Sequence, residues 1–118
     1  MANVYSIEEA VRNWLVDMNY DAYVRVPKAR PQPFLTVERT GGNVADMVDH
    51  PTFAVQAWAD TEPEAEEMLL EIRELLVTGD VPSGFYRVEA ESYYPWFDDS
   101  TRLPRYQLVL NCTTQLTK

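Results

Sequence analysis

Cysteine occurs once in the 118 residues, so no disulfide can form within the chain. Histidine also occurs once, as His50. A metal site or a nucleophile–base pair would therefore have to be built almost wholly from carboxylates and hydroxyls. Basic residues are scarce, with ten Lys and Arg against nineteen Asp and Glu and a formal net charge of -9. A surface of that sign repels phosphate, which disfavours a nucleic-acid groove reader and an anionic-membrane binder alike. Its uses are solubility or a wall past which nucleic acid slides without sticking. No run approaches the ~20 apolar residues needed to span a bilayer. The start, MANVYSIEEAV, lacks a basic region followed by an apolar stretch, so a reducing cytosol is expected. With 46% hydrophobic residues and only four glycines, disorder is not expected either. A chain of this length buries roughly 65% of its unfolded surface, enough for one modest core. The expectation is a single domain over residues 1–118.

Two helices are announced by their starts. Ser6-Ile7-Glu8-Glu9 reads as a capping box, followed by Ile7, Ala10, Val11, Trp14, Leu15 and Met18 at helical spacing. Thr61-Glu62-Pro63-Glu64 is a second box with proline in the first turn. Ala65, Met68, Leu69, Ile72, Leu75 and Leu76 form its stripe, and Gly79 supplies a left-handed stop. Five segments read as strands: 22–27, 34–40, 51–59, 85–94 and 106–116. Gly41-Gly42 and NVADMVD are expected to form a loop between the second and third of these. The fold class is then α+β: a mixed, mainly antiparallel sheet with two helices packed on one face, in the order αβββαββ.

The residues that could carry chemistry stand apart from one another. Asp46, Asp49 and His50 lie close in sequence, but aspartates bonding their own backbone in a turn account for that pattern. Cys112 falls in the apolar alternation Tyr106, Leu108, Leu110, Cys112 and reads as a small core residue. Asp98-Asp99-Ser100 has too few oxygen ligands for a calcium loop and reads as the turn before the last strand. No catalytic, metal or cofactor-binding residues are assigned, and an enzyme is not expected.

Two other groups point toward partners. Tyr93-Tyr94-Pro95-Trp96-Phe97 holds four aromatics, of which alternation turns only about half inward. Either Tyr94 and Phe97 plug the core while the others cover a sheet edge, or Tyr93, Trp96 and Phe97 anchor a partner. Arg25, Lys28 and Arg30 flank the first loop, and Arg39 ends the second strand. They are either scattered solubilising charges or one side of a head-to-tail contact between subunits. Trp58 alternates away from Phe53, Val55 and Ala57, and so either packs under a helix or shows at a surface.

The segment PFLTVERTGGNVADMVDHPTFAVQAWADTEPEAEEMLLEIRELL resembles the tail terminator (tail completion) proteins of long-tailed phages infecting actinobacteria. The resemblance lies in a strand ending V-E-R-T-G-G, a short Asp-containing loop, an H-P-T turn into a strand ending A-W-A, and the helix that follows. The order of elements matches that family along nearly the whole chain. Other neck proteins share similar features. The resemblance implies a structural virion protein, assembled in the host cytoplasm, that forms a ring, generally hexameric, at the head-proximal end of the tail tube. Such a ring stops tube polymerisation, contacts the major tail tube protein and offers a docking surface to a head-completion or connector protein. DNA passes through the hole without specific binding, and no membrane is involved. Arg39, Thr40, Gly41, Gly42 and the loop to His50 then fall in ring or tube contacts, with lumen-facing carboxylates letting DNA slide. The alternatives are another head-completion protein or, in a different class, a monomeric cytosolic inhibitor using the aromatic patch.

Overall fold

The computed structural model describes residues 7–28, 33–45, 48–79, 81–82, 84–95 and 105–115. The elements run α1 (Ile7–Asp17), β1 (Ala22–Tyr23), β2 (Phe34–Ala45), β3 (Val48–Trp58), α2 (Glu62–Val77), β4 (Phe85–Pro95) and β5 (Arg105–Gln115). The fold is α+β in the expected order. One five-stranded sheet has the order β1-β2-β3-β5-β4, antiparallel except where β1 runs parallel to β2.

Both helices pack on one face of the sheet. Ile7, Val11, Trp14 and Leu15 of α1 and Ala65, Met68, Leu69, Ile72 and Leu76 of α2 share one core with that face's apolar residues. Those are Leu35, Val37, Phe53, Val55, Ala57, Leu108, Leu110 and Cys112, every second residue along three neighbouring strands, as the pleat requires. Burying side chains of this size contributes roughly 1.5–3 kcal/mol each.

The ends of the helices follow local chemistry. The Thr61 side chain accepts a hydrogen bond from the Glu64 amide at 3.3 Å, so the second cap forms as its sequence predicts. Ser6 lies outside the described residues. Gly79, at φ +92°, follows the end of α2 as expected. α1 ends on a non-glycine, Asn19 at φ 71°, with the amides of Asn19 and Tyr20 reaching the carbonyls of Val16 and Leu15. That is the Schellman pattern, with asparagine in the left-handed position.

Two expectations about the strands need correction. The first strand is only Ala22–Tyr23, not 22–27. Its ladder stops where the Glu8 carboxylate takes the Arg39 amide at 3.1 Å, the position a longer β1 would fill with a carbonyl. The described part of the segment read as a loop, residues 41–45 and 48–49, is strand instead. β2 continues through Gly41-Gly42 to Ala45, and β3 begins at Val48, with Ala45 paired to Val48. Arg39 is thus mid-strand, and Asp49 and His50 belong to β3 rather than to a turn. A bulge at Thr40, between Arg39 and Gly41, resets the register halfway along this hairpin. Pro51 sits in a central strand, where proline is rare for want of an N–H. The β3–β5 ladder skips His50 and Pro51 and resumes in the same register at Thr52.

Trp58 is buried on the face away from the helices, neither under a helix nor at a surface. Its ring stacks on Phe34 at 5.4 Å, the Arg105 guanidinium lies 4.4 Å above it, and its Nε1–H donates to Thr36 Oγ1 at 3.2 Å.

Candidate functional site

Antiparallel pairing forces the β2–β3 hairpin together, and one ion pair locks its base. The Arg39 guanidinium grips both oxygens of Asp49 at 2.8 Å each, while its Nε donates to the Gly41 carbonyl at 3.1 Å. The carboxylate side is 4% exposed, so a fork of this geometry is what makes burying it tolerable. Gly42 completes the lock. It sits at φ +108°, and a Cβ there would come within 2.1 Å of the His50 carbonyl oxygen. Thr40, Gly41, Gly42, Asn43 and Val44 are exposed along the free side of the hairpin.

Adjacent strand residues point to opposite faces, which separates the Asp49–His50 pair. Asp49 turns to the buried face, whereas His50 is exposed and pairs across the hairpin with Asn43. They therefore do not form an acid–base dyad. Cys112 is buried, and burial pushes its thiol up to about 12, which leaves it protonated and unreactive at neutral pH. Among the described residues no group of three or more His, Cys, Asp or Glu could hold a metal ion. Among them, too, no helix is long and apolar enough to cross a membrane.

The candidate contact residues divide between the two edges of the sheet. Arg25 and Arg39 line one cleft of about 350 Å³ beside β2, with Val24, Val26, Glu8 and Glu38 among its walls. Arg39 is committed to Asp49, but Arg25 and Lys28 are exposed and make no ion pair among the described residues. Val24 and Val26 beside them are 39% and 42% exposed. Tyr93 lies on β4, the opposite edge strand, 39% exposed with its ring 6.2 Å from that of Tyr106. Tyr94 faces away from the helices, and its hydroxyl accepts from Gln107 Nε2 at 2.6 Å. Arg30, Asp46, Trp96, Phe97 and the Asp98–Ser100 stretch lie outside the described residues. The described basic and aromatic candidates thus belong to opposite ends of the strand order, not to one patch.

Sequence reasoning missed a polar ladder on the face away from the helices. Arg105 reaches Gln56 at 3.5 Å, Gln56 donates to Gln107 at 2.8 Å, and Gln107 donates to Tyr94. Farther along the same face Thr52 donates to Asn111 at 3.0 Å. The available signal was polar residues at 105, 107 and 111 of the last strand, on the parity opposite to Leu108, Leu110 and Cys112 and broken only by Val109. The bulges of β4 were also missed. Its register slips at Tyr86 and again at Glu91, and both residues are exposed. No protein-family model matches this chain, and no curated protein is similar to it.

Proposed function

We propose that this protein is a structural subunit of a long-tailed phage, a tail terminator that closes the tail tube as a ring and works without catalysis. The observation that carries the reading is the build of the segment bearing the resemblance. Residues 33–76 supply the locked β2–β3 hairpin and α2, and the hairpin presents an exposed limb from Thr40 to Val44 on a rigid base. Contact loops serve assembly best when a scaffold fixes them, because less freedom is lost on binding. Arg39 and Asp49 hold that scaffold here, and the hairpin limb is the proposed contact with the tube. The self-contact forms the ring, the tube subunit is the second partner and a head-completion protein the third. DNA passes the acidic wall without a binding well.

The test combines the purified protein with the tube subunit of the same phage under polymerising conditions. Rings with a central hole, and tubes shortened and capped at one end in negative stain, are the expected result. A protein that neither forms rings nor alters the length distribution of the tubes refutes the proposal.

A further inference from the structure

We infer that the two open edges of the sheet are the two halves of one head-to-tail contact between copies of this chain, with Arg25 of one copy meeting Glu91 of the next. The inference rests on the self-assembly reading above and assigns surfaces to it.

The strand order leaves different edges at the two ends of the sheet. On one side β1 pairs with β2 only over Leu35 and Thr36, so β2 is bordered beyond them by the cleft that holds Arg25 and Glu38. On the other side β4 is an eleven-residue strand paired through β5 alone among the described residues. Beside it, between α2 and β4, lie two grooves of about 430 and 290 Å³, both lined by Arg73, Ala90 and Glu91. Apart from Glu8 and Arg39 on the first edge and Glu89 on the second, which have partners within the chain, each edge carries one cation and one anion beside a groove. Arg25 and Glu38 stand on the first edge, Glu91 and Arg73 on the second, and none of the four makes an ion pair among the described residues. Brought together head to tail, Arg25 opposes Glu91 while Glu38 opposes Arg73.

The apolar content matches in the same way. Val24 and Val26 stand exposed beside Arg25, and Tyr93 stands exposed beside Glu91. An exposed tyrosine edge with an acidic neighbour suits an arginine flanked by valines, since the guanidinium can stack on the ring while it pairs with the carboxylate. The contact runs through side chains rather than through a continued β-ladder. Glu8 already caps the Arg39 amide on one edge, and the bulges at Tyr86 and Glu91 interrupt the other. Because the patches differ and lie on opposite edges, the contact is heterologous, and repeating it closes a ring if the rotation allows.

Charge reversal tests the assignment on the full-length chain. Arg25→Glu and Glu91→Arg should each raise the concentration of half-assembly by about tenfold, a swing of about 1.4 kcal/mol as a weak attraction becomes a weak repulsion. The double variant, which restores unlike charges across the contact, should return to within about threefold of the wild type on the same scale. Both residues are exposed, so the thermal midpoint of each variant should match the wild type. Mixing Val24→Cys chains with Tyr93→Cys chains under oxidation should give a disulfide-linked heterodimer and little of either homodimer. Assembly that ignores the reversals, or cross-links only through other faces, overturns this surface and leaves the ring reading standing. Chains that stay monomeric, yield no mixed disulfide and leave the length distribution of the tubes unaltered overturn both.

Discussion

Arg39 shows how a residue suited to a partner can be consumed inside its own chain. Every nitrogen of its guanidinium is engaged, two with Asp49 and one with the Gly41 carbonyl, and its amide is held by Glu8. Removing it strands a buried carboxylate. Arg39→Met should therefore cost about 3–5 kcal/mol, whereas replacing both partners by Arg39→Met with Asp49→Leu should recover most of that loss. Urea unfolding of the two variants and the wild type checks the sign, and a double variant as unstable as the single one would contradict the account. Gly42→Ala meets two obstacles, the positive φ and the His50 carbonyl at 2.1 Å, and should cost about 2 kcal/mol or more. Gly41→Ala, with open space at its Cβ position, serves as its control and should change the urea midpoint far less. The need for positive φ was legible in the Gly-Gly pair. The partner of Arg39 was not, because nine residues of intervening chain say nothing of register until the hairpin is drawn.

At the scale of elements, α2 was read almost to the residue, since its cap, its apolar spacing and its terminal glycine all act locally. The hairpin was misread because Gly, Asn and Asp favour loops by composition, whereas this pairing is decided by the neighbouring strands and one bulge. β1 was overextended for a similar reason: its residues favour a strand, but a carboxylate from α1 occupies the next ladder position. α2 also has a pH-dependent attachment. Tyr20, just past α1, is raised above its ordinary 10.0 by burial and then by the charge and hydrogen bond of Glu71. Tyr106 on β5 is raised by desolvation, by its hydrogen bond to Glu66 and by nearby charge. A folded-state pKa above the unfolded one means the native state keeps a proton that the unfolded chain releases. Both contributions are then fully present below about pH 10 and are lost as pH rises through the folded values. Thermal midpoints should fall more steeply above about pH 10 in the wild type than in a Tyr20→Phe, Tyr106→Phe variant, which loses both titrations. Parallel curves would mean that the two hydroxyls do not couple to α2.

For the whole molecule, the sequence states the charge balance but not its arrangement, and the strand order supplies the arrangement. Each copy carries -9 overall, yet the edges proposed to meet carry opposed pairs, Arg25 with Glu91 and Glu38 with Arg73. These two features respond to salt at different distances. Repulsion between whole acidic copies acts over long range and is largely screened once the Debye length falls to about 10 Å, near 0.1 M salt. Ion pairs in contact across an interface, only a few ångströms apart, weaken substantially when that length shrinks to about 3 Å, near 1 M. Assembly should therefore strengthen as salt rises from about 0.01 M to 0.15 M and weaken again toward 1 M, a maximum that neither effect alone produces. In the Arg25→Glu variant one of the two local pairs is gone, so the falling limb should become shallower. Light scattering at fixed protein concentration across the salt series measures both curves. A wild type whose assembly rises steadily to 1 M salt would show that apolar contact governs the interface and that the charged pairs lie elsewhere.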